Sequence, residues 1–204
     1  TKTKKMERFS QNDEQDYILD YFKENNNGKY LEIGSFHPTI FSNTRALYEK
    51  GWEGKLVEPS PKCMKSLEDA YSNESRITLI QAAITDSDGI ITFYEASSDA
   101  IGSTDVIHKQ KWEKGSGVQY TEITVKAISM NTLLKEHGSE IDFVNIDVEG
   151  TNYQLFSLIP DWFFDRLKMI CIEHDGKHIE MENKLKTFGF RKILFNAENL
   201  IMVK

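Results

Sequence analysis

Short runs rich in Val, Ile and Leu alternate with helix-forming segments along most of this chain, and this alternation most constrains the fold. The runs at 29–34, 55–58, 77–82, 142–147 and 169–173 lack the polar alternation of half-exposed strands, so we expect strands buried on both faces. Such strands, separated by helices, form a mainly parallel sheet with helices on each side. The sequence therefore predicts a doubly wound α/β fold, arranged as an α/β/α sandwich.

The last two strands depart from this parallel arrangement. Residues 191–195 and 200–203 are joined by too few residues for a parallel crossover, so we expect an antiparallel last strand. Earlier in the chain, Asp88-Gly89 lies between two β-favouring runs within 84–94 and predicts a hairpin.

The length of 204 residues suits one α/β domain. We expect a single domain, 1–204, that begins with a helical extension at 1–27. The predicted hairpin and the irregular stretch after it form an insertion, 84–120, that could act as a lid with Trp112 and Tyr120 over the ligand. Trp112 could equally be a core anchor of the insertion.

Charge and composition disfavour several kinds of partner. The formal net charge is −7, so nucleic-acid phosphates would be repelled, and we expect no nucleic-acid partner. No apolar stretch approaches the roughly 20 residues that span a bilayer, and the start of the sequence lacks a signal-peptide core. We therefore expect no membrane partner and a cytoplasmic location. No sequence pattern specifies an oligomeric state.

In an open parallel sheet, ligands bind beyond the carboxyl ends of the strands, where the strand order reverses. The first strand ends at Gly34, which would let a ligand approach the backbone closely. The second ends at Glu58, which can accept both hydroxyls of a ribose. Each residue alone could be a turn or a solvated strand end. Together they indicate a nucleoside-containing cofactor.

The loop after the first strand distinguishes between such cofactors. Residues 34–38, Gly-Ser-Phe-His-Pro, lack the G-x-G-x-x-G spacing that brings a pyrophosphate to a helix N-terminus. A nucleoside without phosphates fits better, and we expect S-adenosylmethionine. Ser42, Asn43 and Thr44, at the next helix start, could bind its carboxylate, although Ser42 could simply be a helix cap.

Ionisable residues cluster after two later strands, at Asp147 and at Glu173-His174-Asp175. Carboxylates are rarely buried without a partner or a function. His174 could be the base that removes the proton of a methyl acceptor. Alternatively, Asp147, Glu173 and His174 could hold Mg2+ or another divalent cation that lowers the pKa of the acceptor hydroxyl. Helix capping by Asp147 and a supporting role for His174 are the less specific explanations.

Several segments carry a resemblance to a known family. They are KYLEIGSFHPTIFSNTRALYEKGWEGKLVEPSP, QAAITDSDGIITFYEA and IDFVNIDVEGTNYQLF, followed by ICIEHDG. Through them the sequence resembles the FkbM-type methyltransferase family over about residues 28–204. The combination of SNT, VEPSP and DVEG is specific, whereas any one of these motifs alone is weak.

The resemblance implies a class I, Rossmann-like methyltransferase fold, S-adenosylmethionine as cofactor, and O-methylation of a small-molecule or saccharide acceptor. The implied cofactor contacts are Glu32 and Gly34 along the methionine part with Asn43 and Thr44 nearby, Glu58 at the ribose, Ala82 and Ala83 beside the adenine, and Asp147 facing the methyl-transfer site. Ser35 and Pro59, next to these residues, complete the expected site. The segment 36–38 departs from the smaller loop of many relatives.

The last cluster has a further parallel, in position only. Glu173-His174-Asp175 resembles the strand-end position that supplies metal ligands in catechol-type O-methyltransferases, with Asp147 matching a ligand on the preceding strand. Three alternatives stay open on the sequence: a nicotinamide-dependent oxidoreductase, a non-catalytic nucleoside-binding module, and a methyltransferase acting on RNA, protein or a carboxylate.

Overall fold

The computed structural model describes residues 7–97 and 102–204. The strands are β1 (Lys29–Ile33), β2 (Glu53–Val57), β3 (Ile77–Ile80), β4 (Ala83–Thr85), β5 (Gly89–Ala96), β6 (Tyr120–Ser129), β7 (Phe143–Ile146), β8 (Met169–Glu173), β9 (Arg191–Phe195) and β10 (Asn199–Val203). The helices are α1 (Glu14–Tyr21), α2 (Arg45–Glu49), α3 (Pro61–Tyr71), α4 (Val106–Ser116), α5 (Met130–His137), α6 (Asn152–Leu158), α7 (Asp161–Arg166) and α8 (His178–Thr187).

Seven strands form the central sheet, in the order β3-β2-β1-β7-β8-β10-β9. Strand β10 runs antiparallel to both of its neighbours, β8 and β9. The other neighbouring strands of this sheet pair in parallel. The predicted doubly wound sheet with an antiparallel last strand is therefore confirmed. The strand order reverses between β1 and β7, which places the expected ligand site at their carboxyl ends.

Helices cover both faces of this sheet, so the predicted α/β/α sandwich is also confirmed. On one face, Leu133 of α5 and Phe163 of α7 pack with the sheet residues Val144 and Ile170. On the other face, the core cluster contains residues from α1, α2 and α3, together with Trp52. Burial of these apolar side chains is the main favourable contribution to folding.

Helix α3 shows how closely local sequence can determine an element. Ser60 has extended backbone dihedrals and its side chain accepts a hydrogen bond from Cys63 N at 3.2 Å. Pro61 occupies the first helical position, where its missing N–H leaves no intrahelical bond unmade. The helix has the predicted bounds.

The prediction of a hairpin within 84–94 is wrong. Strand β6 lies between β4 and β5, pairing in parallel with the former and antiparallel with the latter. The chain reverses at the predicted turn, but Asp88 does not close a two-strand loop. Its carboxylate accepts hydrogen bonds from Ser129 N at 2.6 Å and Thr132 Oγ1 at 3.0 Å. These contacts hold the turn next to the start of α5. Strands β4 and β5 therefore do not pair with each other, and β6 lies between them.

The insertion 84–120 contains more regular structure than the sequence indicates, because α4 occupies half of the stretch predicted to be irregular, 96–117. Asp105 caps this helix by accepting from Ile107 N at 2.8 Å. Residues 98–101, which belong to the predicted lid, lie outside the described residues, as do residues 1–6 of the predicted extension. In the described part of the chain, no helix is long and apolar enough to cross a membrane.

Candidate functional site

A cavity of about 340 Å3 opens at the carboxyl ends of the central strands, where the strand order reverses. Its volume lies within the range of roughly 300–1,000 Å3 that is usual for small-molecule sites. We distinguish two sides by the residues that line them. The β1–β2 side is lined by Glu32, Gly34, Ser35, Phe36, Glu58, Pro59, Ala82 and Ala83. The β8–β10 side is lined by Gln11, Asp147, Glu149, Glu173, Glu198 and Asn199.

Glu58, directly after β2, is held in place by the backbone of two loops. Its Oε2 accepts from Phe36 N at 2.9 Å and its Oε1 accepts from Ser60 N at 2.8 Å. Burial raises the pKa of Glu58 to about 7, against the lowering effect of these two hydrogen bonds. Each carboxylate oxygen keeps a second lone pair, so the group can still accept hydrogen bonds from a ligand in the cavity.

Glu32 and Gly34 lie at the end of β1. Glu32 is 4% exposed and accepts from Thr44 Oγ1 at 3.0 Å, and burial raises its pKa to about 8. Gly34 has a φ of 89°, and a Cβ built on it would lie 1.9 Å from the carbonyl oxygen of Asp147. The glycine is therefore required by the close approach of two strand ends, and not by ligand approach alone.

Asp147 and Glu173 both line the cavity beside the ends of β7 and β8, and each carboxyl group affects the pKa of the other. Two carboxylates held close together in a buried site repel each other, which favours a proton on one of them. Burial and the neighbouring carboxylates raise the pKa of both groups. The pair can therefore hold or release a proton near neutral pH, as a general acid or base requires.

Asn152, the first residue of α6, holds one member of this pair. Its Nδ2 donates to Glu173 Oε2 at 2.8 Å and to Asp175 Oδ2 at 3.1 Å. Its Oδ1 accepts from Val148 N at 2.7 Å. The side chain is fully buried. Sequence reasoning missed Asn152, although it lies five residues after Asp147 in the motif that carried the family resemblance.

The structure brings most of the predicted residues to the cavity, but four of them do not line it, and three of these four are consecutive. Ser42, Asn43 and Thr44 are buried and do not line it. Ser42 Oγ accepts from Arg45 N at 3.0 Å, as a helix cap does. Asn43 Nδ2 donates to Asn145 Oδ1 at 3.1 Å, and Thr44 contacts Glu32. In this geometry the three side chains position other residues and are not placed to contact a ligand.

The geometry also separates His174 from Asp147 and Glu173. Its Nδ1 accepts from Gly176 N at 3.1 Å, and its Nε2 lies 3.2 Å from the carbonyl oxygen of Asn196. Both ring nitrogens are thus occupied by backbone groups, and His174 does not line the cavity. Among the described residues, no group of three or more His, Cys, Asp or Glu side chains is placed to hold a metal ion. The predicted metal set does not fit this arrangement.

The β8–β10 side contains residues that the sequence did not single out. Gln11, before α1, donates from Nε2 to Glu198 Oε1 at 3.0 Å. Asn199 is the first residue of β10 and pairs in register with Glu173. One signal could have found Glu198 and Asn199. If the last strand is antiparallel, the turn before it must lie at the carboxyl edge of the other strands.

The strand order, with one antiparallel strand, and the cavity at the reversal point define a class I methyltransferase fold. The precorrin-6y C5,15-methyltransferase of Geobacter metallireducens GS-15 shares this fold with a TM-score of 0.51 and 10% identity, covering 97% of this chain and 90% of that chain. The family model of the methyltransferase FkbM domain matches residues 19–192, and the chain belongs to this family. Its fold and family are those of S-adenosylmethionine-dependent methyltransferases.

A weaker structural similarity is also found. The human methyltransferase 10 domain containing protein aligns with a TM-score of 0.48 and 10% identity, covering 93% of this chain and 78% of that chain. The search of curated proteins found no match.

Proposed function

We propose that the protein transfers the methyl group of S-adenosylmethionine to a hydroxyl of a small-molecule or saccharide acceptor. The observation that carries this proposal is the arrangement of Glu58. Two backbone N–H groups fix its carboxylate at the edge of the cavity, and its remaining lone pairs can accept the two hydroxyls of a ribose. A nucleoside bound in this way places its sugar on the β1–β2 side.

The other residues of the β1–β2 side support the same cofactor. Ala82 and Ala83 are small and apolar, as the face of an adenine ring requires, and both line the cavity. The loop after Gly34 brings the bulky side chain of Phe36 to the cavity wall, which leaves little room for a pyrophosphate on the backbone. Glu32 offers a buried carboxylate to the ammonium group of the methionine part.

S-adenosylmethionine supplies an electrophilic methyl carbon on a sulfonium. Asp147 and Glu173 lie at the boundary of the two sides, where acceptor and methyl group would meet. We propose that the pair takes the acceptor's proton while the bond from the acceptor oxygen to the methyl carbon forms and the carbon–sulfur bond breaks. The products are the methyl ether, S-adenosylhomocysteine and the proton on the carboxyl pair. No step is assigned to a metal.

We also propose that the described part of the insertion 84–120 covers the acceptor. Trp112 of α4 lines the cavity, and Ser103 Oγ donates to the carbonyl oxygen of Glu149 at 2.6 Å. The insertion thus contacts the strand ends at the site itself. Hydrogen exchange at 102–117 should slow when S-adenosylhomocysteine and an acceptor are added together. Unchanged exchange would exclude the lid.

Calorimetric titration of the purified protein with S-adenosylhomocysteine and with NAD, each with and without Mg2+, tests the proposed function. We expect heat from S-adenosylhomocysteine alone, and the same heat when Mg2+ is added. Binding of NAD alone would replace the proposal with the oxidoreductase alternative. Binding of neither would reject the cofactor assignment.

A further inference from the structure

The β8–β10 side holds more carboxyl groups than the proposed reaction uses. Among the described residues that line the cavity, seven carry a carboxyl group and one, Lys62, is basic. Glu32 and Glu58 face the cofactor in the proposed function, and Asp147 and Glu173 handle the proton. Glu95 accepts from Ser60 Oγ at 2.6 Å. The remaining two, Glu149 and Glu198, have no assigned ligand.

Among the described contacts, neither of these two carboxyl groups is hydrogen bonded to a cation. Glu198 accepts from the side-chain amides of Gln11 and Asn12, at 3.0 and 3.5 Å, which are neutral groups. Glu149 Oε2 lies 3.3 Å from His108 Nε2. Burial lowers the pKa of His108, so this imidazole is neutral at neutral pH. Burial and repulsion from Glu173, Asp175 and Glu198 raise the pKa of Glu149 to about 8. A cation bound beside Glu149 favours its ionised form.

An independent observation on the same side points to a missing hydrogen-bond donor. Asn199 lines the cavity and is 4% exposed. Its Nδ2 donates to Glu14 Oε1 at 2.8 Å. Glu14 also accepts from Asn196 Nδ2 and Asn12 N. An ionised carboxylate can only accept hydrogen bonds, so the group of Asn199 that faces Glu14 must be its NH2. The Oδ1 on its other side is buried and has no partner in the described structure.

A buried acceptor without a donor costs about 1–3 kcal/mol, and a ligand that supplies the donor recovers this free energy. Glu149 and Glu198 favour a donor that is positively charged. An ammonium group meets both requirements, because it carries three donors and one positive charge. A metal ion does not, because no group of ligands among the described side chains is placed to hold one.

We propose that the methyl acceptor is a hydroxyl compound that also carries a positively charged amino group, such as an amino sugar, with the ammonium bound between Glu149, Glu198 and Asn199 Oδ1. The inference rests on the proposed function and specifies the chemical class of its acceptor. A neutral sugar would bring no positive charge to the carboxyl groups of Glu149 and Glu198.

Matched pairs of amines and their N-acetyl derivatives test this inference. Glucosamine, galactosamine and ethanolamine, each beside its N-acetyl partner, are titrated into protein saturated with S-adenosylhomocysteine, with binding followed by ligand-observed NMR. We expect the amine of at least one pair to bind about tenfold more tightly, or about 1.4 kcal/mol. Equal binding within every pair, tighter binding of the N-acetyl forms, or no binding by any amine would overturn the proposal.

Two variants separate specific recognition from general attraction to an acidic protein. Glu198→Gln and Glu149→Gln each replace a carboxyl group that can ionise beside an ammonium with a neutral amide that keeps an oxygen acceptor. Either should reduce the amine preference about fivefold or more. Glu122→Gln, at an exposed position of β6, should leave the preference unchanged. If all three variants behave alike, the amine is not bound at this site.

The failure of this inference is distinguishable from failure of the proposed function. S-adenosylhomocysteine binding is measured first and does not involve the acceptor. If it binds and the amines show no preference, only the acceptor class is wrong. For any pair that is turned over with S-adenosylmethionine, mass spectrometry of the product shows whether oxygen or nitrogen is methylated.

Discussion

Asn152 Nδ2 lies 2.8 Å from Glu173 Oε2, so an amide that does not line the cavity orients a carboxylate that does. Asn152→Ala should lower kcat strongly while S-adenosylhomocysteine affinity changes less than about threefold, because the β1–β2 side is intact. It should also cost roughly 1–3 kcal/mol of unfolding free energy, since Val148 N loses its partner. Urea unfolding and single-turnover rates check both effects.

Asn131→Ala, an exposed asparagine of α5, is the control and should change neither quantity. Asn152→Asp keeps the acceptor for Val148 N but faces Glu173 and Asp175 with a third carboxylate. It should therefore impair turnover at least as much as Asn152→Ala. Full activity in both variants would show that Asn152 does not position Glu173.

Gly34→Ala should be far more destabilising than Gly176→Ala, although both glycines have a positive φ. Gly34 has a φ of 89° and its Cβ would lie 1.9 Å from Asp147 O, whereas Gly176 has a φ of 75° and no atom within 4 Å of its Cβ. Gly176→Ala should cost the left-handed strain alone, roughly 1–2 kcal/mol. Gly34→Ala adds a backbone clash, and we expect several kcal/mol more by chemical denaturation. Equal losses would disprove the close approach of the two strand ends.

Glu58→Gln should weaken S-adenosylhomocysteine binding about tenfold or more, or about 1.4 kcal/mol. A glutamine cannot accept from both Phe36 N and Ser60 N, because its nitrogen end is a donor. At saturating S-adenosylmethionine the turnover rate should change little, since ribose contacts are made in ground and transition states alike. Calorimetry and initial rates measure the two effects. Glu68→Gln, at an exposed position of α3, should bind like the parent protein.

Stability without ligand should decrease as the pH rises from 6.5 to 8. Burial raises the pKa of Glu32 to about 8, of Glu58 to about 7 and of Glu149 to about 8. These groups bind more protons in the folded than in the unfolded protein, so the stability they contribute at low pH is lost as they ionise. His108 and His137 have lowered pKa values and act in the opposite direction only below about pH 6.5.

Urea midpoints at pH 6.5 and 8 measure this slope, and Glu32→Gln should make it shallower because it removes one titrating group. A midpoint that rises over this interval would show that these carboxyls stay ionised in the folded protein.

Much of the fold was predictable because local signals and the global arrangement agree. Ser60 and Pro61 determine the start of α3, and buried apolar runs determine β1, β7 and β8. The hairpin prediction failed because Asp88-Gly89 specifies a turn but not the strand beside it. The insertion of β6 depends on contacts with residues some forty positions further on, and no local pattern contains them.

The site was predictable where residues directly follow strands, as at Glu58, Asp147 and Glu173. It was not predictable where a polar residue could either line a cavity or support its wall. Ser42, Asn43 and Thr44 have the residue types of a ligand loop, yet hydrogen bonds to Arg45, Asn145 and Glu32 draw them inward. Gln11 reaches the cavity only because α1 is anchored to the turn before β10 through Glu14.

The contact between Gln11 and Glu198 joins two segments that both lie outside residues 19–192, the part matched by the family model. The proposed cofactor contacts, from Glu32 to Asp147, all lie inside it. Three of the six residues that define the β8–β10 side, Gln11, Glu198 and Asn199, therefore lie outside the matched part, whereas the β1–β2 side lies wholly inside it. Exchange of 7–18 and 193–204 between relatives should produce chimaeras that choose a different acceptor while keeping the same methyl donor.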